Sequence, residues 1–189
     1  MTVAEVTTLM TTEQLLALPD DGVERWLIRG QLREKPKSFR NRFNSRVMVR
    51  IGCVLQDWLD QQPQPRGSVL CGNAGVRLTC NPDTTVGVDV AYVSAESAAH
   101  QPDDMPLFDG PPILVIEILV PSDPLEMIDE KIDQYLAVGV PLVWIIHSRR
   151  RTATIYRPGE EPQLVNASQE LSGEPHLPGF RVAVADLFA

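Results

Sequence analysis

The sequence is poor in the features that mark several protein classes. Its three cysteines, Cys53, Cys71 and Cys80, are odd in number and form no C-x-x-C pair, so reduced thiols buried as small hydrophobes are expected instead of a disulfide or zinc framework. No apolar run approaches the roughly 18 to 20 residues needed to span a bilayer, and the segment from Met1 to Gly22 lacks the basic and apolar blocks of a signal peptide. These absences point to a cytoplasmic protein without membrane association. There is no Gly-rich phosphate loop and no nucleophile elbow, which argues against a nucleotide cofactor and against acyl transfer. His100, His147 and His176 are scattered without metal-ligand spacing. Internal repeats and low-complexity tracts are also missing.

Positive charge is scarce overall, with a formal net charge of -8, and this opposes a polyanionic partner. Its distribution reverses the argument. From Arg25 to Arg50 the chain holds nine cations and one acid, Glu34, a local charge of +8. Asymmetry of this size is an electrostatic footprint for nucleic acid, although a solvated basic surface is an equally simple account of charge alone.

Thr11 to Leu18 reads as a short capped helix stopped by Pro19, and Trp26 to Leu32 as two strands about a Gly turn. From Arg42 to about Leu59, Phe43, Val47, Ile51, Val54, Leu55, Trp58 and Leu59 recur at spacings of three and four, which predicts an amphipathic helix. Arg42, Arg46 and Arg50 then form a row on one flank, the arrangement a phosphate backbone requires. Val69 to Thr79 and Val86 to Val93 read as strands joined by the Asn81-Pro82-Asp83 turn, and Ser94 to Pro112 as an acidic loop. Asp123 is expected to cap a helix that has Pro124 at its first position and ends at Gly139. Leu142 to Ile146 and Thr152 to Tyr156 make a hairpin, and Gly173 to Ala189 is expected to be irregular with one short last element. The whole predicts one domain over residues 1–189, with a core of about 11–156 and a C-terminal extension from 157. The fold class is α/β or α+β, a mixed sheet flanked by helices.

Within "ILVIEIL", residues 113 to 119, Glu117 is the one charge in a strand that reads as buried on both faces. A carboxylate there is costly to desolvate unless it is paired or binds metal. Asp89, between Val88 and Val90, shares a strand face with Gly87 and Ala91, whose small side chains leave room around it. If the two strands pair, Asp89 and Glu117 lie side by side, and a hard divalent ion such as Mg²⁺ relieves their repulsion. Lys131, one turn before Tyr135 at the edge of the predicted apolar helix face, can extend its stem along the sheet toward them. Taken alone, a solvated lysine is the simpler reading.

The order Asp89, Glu117 within "VIEIL", Pro121-Ser122-Asp123, Lys131, Tyr135, Gly139-Val140 and Trp144-Ile145-Ile146, with Leu27-Ile28-x-Gly30-x-Leu32 earlier, resembles the Uma2-type, or DUF820, family of restriction-endonuclease-like proteins. That family belongs to the PD-(D/E)XK nuclease superfamily. The resemblance implies a restriction-endonuclease-like sheet and a metal-dependent endonuclease acting on DNA phosphodiester bonds. Asp89, Glu117 and the backbone carbonyl of Ile118 would bind Mg²⁺ or Mn²⁺, and Asp89, Glu117 and Lys131 would be the catalytic trio. The superfamily lysine two residues after the second acid is replaced by Leu119, and Lys131 matches the position to which the family moves it. Other departures are Val88 for the usual Pro, Val120 for Ser, Asn44 for His and Trp26 for Glu. Glu24, Asn44 and Tyr135 are candidate accessory residues, Glu24 because it shares a strand face with position 26. One active site per chain implies a homodimer for duplex cleavage. The alternative is a catalytically decayed nuclease fold acting as a nucleic-acid-binding or accessory protein.

Overall fold

The computed structural model describes residues 8–120 and 123–189. Its first half runs α1 (Thr12–Leu16), β1 (Val23–Ile28), β2 (Gln31–Pro36), α2 (Arg42–Leu59), β3 (Ser68–Thr79), β4 (Thr84–Val93) and α3 (Ala95–Ala98). It continues with β5 (Phe108–Asp109), β6 (Leu114–Leu119), α4 (Leu125–Ala137), β7 (Leu142–His147), β8 (Thr152–Tyr156), β9 (Gln163–Asn166), β10 (Glu170–Ser172) and β11 (Arg181–Ala183). A 3₁₀ helix over Val184–Phe188 follows. Among the described residues no helix is long and apolar enough to cross a membrane.

The main sheet is mixed, in the order β2-β1-β4-β6-β7-β8-β9, with β3 on β4 and β5 on β3. β6 and β7 are parallel and are joined by α4, the crossover that a parallel pair needs. β3 pairs with β4 from end to end, so β1 and β6 must share the other edge of β4. β1 meets it at Thr85, and β6 meets it from Val90 to Tyr92. Between them, Val86 to Asp89 has no strand on that edge. This gap in the sheet positions the site.

Alternation along the strands sorts the core into two layers. Leu114, Ile116 and Ile118 of β6 face α2, whose Val47, Ile51 and Leu55 repeat every four residues, and the same layer takes in Leu177, Phe180, Val184 and Phe188 of the tail. Val115 faces the other way, against Ile128, Ile132 and Tyr135 of α4 and Trp26 of β1. Glu117 shares the parity of Val115 and so belongs to the α4 side.

Several expectations need correction. The helix after β6 is capped by Pro124, not Asp123, and without a side-chain cap bond; the Asp123 carboxylate instead accepts from the Val120 N–H at 2.9 Å, holding the turn that leads into the helix. Pro121 and Ser122 of the family motif lie outside the described residues. The acidic loop contains α3 and β5, and β9 extends the sheet beyond the hairpin. The tail contains the antiparallel pair β10-β11, and its apolar side chains are core residues. All three cysteines are free thiols, as expected, but they are exposed: Cys53 lies off the buried stripe of α2, Cys71 where the β3–β4 register shifts, and Cys80 in the turn after β3.

Candidate active site

Extending the β4–β6 register of Val90↔Ile116 by one pair puts Asp89 opposite Glu117, where the two strands part. Side chains directly opposite on an antiparallel pair are neighbours, and both carboxylates are buried, Asp89 at 3% and Glu117 at 5% exposure. The ladder ends here because a side chain takes over from the backbone: Asp89 Oδ2 accepts the Ile118 N–H at 2.7 Å. Asp89 is raised to about 6, chiefly by burial and then by the Glu117 charge, with the Arg40 charge and the Ile118 N–H acting the other way.

α4 supplies the partners of Glu117. Lys131 Nζ donates to Glu117 Oε1 at 3.0 Å and to the Gly87 carbonyl in the open edge of β4 at 2.8 Å. Its ammonium lies 5.9 Å from the Trp26 ring centroid. Tyr135 Oη, fully buried, donates to the same carboxylate oxygen at 2.6 Å. Burial and the neighbouring Glu117 charge hold the tyrosine well above its ordinary pKa, so it stays a donor. The end of α4 fixes this geometry: the Gly139 N–H bonds to the Leu136 carbonyl and Val140 N–H to that of Tyr135, a Schellman closure that uses Gly139 at φ +82°. Lys131 is thus not a solvated lysine; it is 9% exposed and ion-paired.

Arg40, in the irregular segment between β2 and α2, is the residue that sequence reasoning missed. Its guanidinium donates through Nη2 to Asp89 Oδ1 and through Nη1 to the Ile118 carbonyl at 3.4 Å. Arg40 belonged visibly to the basic window, but no periodicity assigns a direction to an irregular segment. The space above Gly87 is also not open as expected. A β-bulge in β3 carries Asn73 at φ +62°, and its Oδ1 occupies the place where a Gly87 Cβ would stand. Any side chain at position 87 displaces Asn73.

Asp89, Glu117, Ile118, Lys131, Arg40 and Asn73 line an open cleft of about 230 Å³, with Glu24, Lys35, Lys37 and Asp123 on its wall. Glu24 is in the cleft but paired, its carboxylate 3.4 Å from Lys35 Nζ. Asn44 is not in the cleft. It is buried on α2, its Nδ2 without a hydrogen-bond partner among the described residues.

Most of the basic window is neutralised. Arg25 pairs with Asp21 and Glu34, Arg33 with Glu130, Lys35 with Glu24 and Asp123, Lys37 with Asp20 and Arg40 with Asp89. Arg42, Arg46 and Arg50 are exposed and have no carboxylate partner among the described residues. Arg46 stacks over Phe43, and Arg50 donates to the Asp186 carbonyl at 3.2 Å. This row lies outside the cleft, on the helix that packs against the opposite layer of the core.

The donor set suits a hard divalent cation. Glu117 Oε2 accepts no hydrogen bond from the described residues, Asp89 Oδ1 and the Ile118 carbonyl both face a cation already, and all three are oxygens. No group of three or more His, Cys, Asp or Glu side chains suited to a metal occurs among the described residues, so any such ion must rely on the backbone oxygen and on water.

No curated protein matches the chain. Among solved structures, one titled as a putative nuclease belonging to DUF820 from Anabaena variabilis ATCC 29413 superimposes with a TM-score of 0.77 over 95% of this chain and 97% of that one, at 18% identity. At that identity the likeness is one of fold, a mixed sheet flanked by helices. The Uma2 profile, described as "Putative restriction endonuclease", matches residues 12–185, so it takes in every strand, the α4 residues that hold Glu117 and most of the buried tail, and the chain belongs to that family.

Proposed function

We propose that the protein is a metal-dependent endonuclease that hydrolyses DNA phosphodiester bonds, acting as a homodimer on duplex substrate. The observation that carries this reading is the juxtaposition of the buried Asp89 and Glu117 carboxylates and the Ile118 carbonyl at the open end of the β4–β6 ladder, with the Lys131 ammonium on Glu117. Asp89, Glu117 and Ile118 would hold Mg²⁺ or Mn²⁺. When bound, such an ion polarises a phosphoryl oxygen and makes water more acidic.

The rest is the work of the chain's own groups. Lys131 uses two of its three donors on Gly87 and Glu117, and the third is left for an attacking water or a developing phosphorane charge. Tyr135 and Lys131 both donate to Glu117 Oε1 and leave Oε2 without a donor among the described residues. The buried side chains of Trp26 and Ile128 beside Lys131 lower the local dielectric and so strengthen each of these interactions.

Purified protein is expected to nick or linearise supercoiled plasmid with Mg²⁺ or Mn²⁺ and to leave it intact with EDTA. A folded protein that cuts neither duplex nor single strands with any divalent metal would overturn the endonuclease reading in favour of the alternative, an accessory DNA-binding role on a decayed nuclease fold.

The unpaired arginine row would grip the phosphate backbone irrespective of sequence. Replacing Arg42, Arg46 and Arg50 together by Ala is expected to weaken DNA binding and to flatten the slope of log K against log salt by about three, roughly one per lost contact. Fluorescence anisotropy over a salt series measures this, and an unchanged slope would make the row mere surface.

A further inference from the structure

Arg40 stands where the proposed metal's oxygens are. Its guanidinium spans Asp89 Oδ1 and the Ile118 carbonyl, two of the three atoms that would hold the ion. A guanidinium and a divalent cation compete for them, because both are positive and repel each other at the same oxygens. The site therefore has two competing occupants. Apparent metal affinity is then reduced by the fraction of molecules in which Arg40 is disengaged.

The anchoring of Arg40 allows such an exchange. The backbone is held on one side by the Lys37 N–H bonded to the Gly22 carbonyl at 2.8 Å, and on the other by Asn41, which caps α2. Between these anchors Ser38, Phe39 and Arg40 have no regular structure, and Phe39 is fully exposed. The Arg40 side chain is 30% exposed, at the mouth of the cleft and not beneath it. Once released it has no other carboxylate within the contacts described, yet it remains beside the carboxylates on which a scissile phosphate would be drawn.

Resting on the endonuclease reading, we infer that Arg40 is a substrate-binding residue that exchanges partners: it holds Asp89 and Ile118 in the metal-free protein and moves to a backbone phosphate of DNA when a divalent cation takes those oxygens. A guanidinium fork suits both partners, since carboxylate and phosphate accept it with the same bidentate geometry. The exchange also couples the two binding events, because DNA that captures Arg40 removes the competitor for the metal.

The inference predicts opposite effects of one substitution. In calorimetric titration with Mn²⁺, Arg40→Gln is expected to bind metal on the order of tenfold more tightly than wild type, as befits the loss of a charge-assisted contact that metal must otherwise break. With Ca²⁺ present and a short labelled duplex checked on a gel to be intact, the same variant should bind DNA several-fold more weakly, with a salt slope shallower by about one. Lys37→Gln is the control, since it removes a cleft cation that pairs with Asp20 and touches neither carboxylate; its metal affinity should stay within about twofold of wild type. Arg40→Lys keeps the charge but lacks the fork, and its intermediate metal affinity serves if the glutamine variant does not fold.

If Arg40→Gln binds Mn²⁺ no better than wild type, or if Lys37→Gln tightens metal binding equally, the exchange is overturned while the metal centre stands. Tighter metal binding with unchanged DNA affinity overturns the phosphate half and leaves Arg40 a placeholder. Absence of Mn²⁺ binding in both wild type and variant overturns the metal centre itself, and the exchange with it.

Discussion

Replacing Lys131 by Met is expected to lower single-turnover DNA cleavage by on the order of 10² or more, the loss typical of one donor aimed at transition-state charge, while leaving Mn²⁺ affinity undiminished. Metal binding survives because Lys131 donates to Glu117 Oε1, not to the oxygens proposed for the ion; with its charge gone, repulsion between Asp89 and Glu117 is less offset and the cation is drawn at least as strongly. Met keeps the apolar stem against Trp26 and the helix propensity of α4. The metal-free variant is nevertheless expected to be less stable, by about 3–5 kcal/mol, because a carboxylate 5% exposed loses one of its two donors. Added Mn²⁺ should restore much of that loss, so thermal melts with and without metal separate folding from chemistry. Turnover within a few-fold of wild type would limit Lys131 to a structural partner of Glu117.

Much of this site could be read from residue order, and the parts that could not share a physical cause. Glu117 stands out because one carboxylate in a branched apolar strand has no inexpensive explanation, and Asp89 because a strand's period of two assigns its face. Lys131 follows from helix periodicity, which places it beside Tyr135, although periodicity does not reveal that its amine also reaches the Gly87 carbonyl. Arg40 has no such handle: it lies in an irregular stretch and meets a carboxylate 49 residues away in sequence. Asn73 is hidden for a related reason. The bulge in β3 breaks the alternation that would otherwise say where residue 73 points, so the room inferred beside Asp89 from Gly87 is filled by a side chain from the neighbouring strand. The cysteines mislead because burial statistics for thiols describe cores, whereas these three occupy a helix flank, a bulge and a turn. The tail is obscure because strands of three residues and a five-residue 3₁₀ helix are too short to show any period.

That tail carries a large stability effect expected from a single apolar substitution. Phe180, 3% exposed, lies 5.7 Å from Trp144 and 6.0 Å edge-on from Trp58, so it joins β7 to α2 across one layer of the core. The contact is braced by the Trp58 indole N–H, which donates to the Pro178 carbonyl at 3.0 Å. Phe180→Ala removes both ring pairs and leaves a cavity against residues fixed by the sheet, which cannot collapse to fill it; the expected cost is about 3–5 kcal/mol. For a chain of this size that lowers the midpoint of thermal unfolding by roughly 6–20 °C. Leu164→Ala, at a side chain 64% exposed on β9, is the contrast and should shift stability by no more than about 0.5 kcal/mol. Because Glu117 and Lys131 lie on the α4 side, Phe180→Ala should still cleave DNA at close to the wild-type rate per folded molecule below its midpoint. Denaturant melts of the two variants decide the matter: a cost below about 1 kcal/mol for Phe180→Ala would mean that the C-terminal segment merely rests on a core that is complete without it.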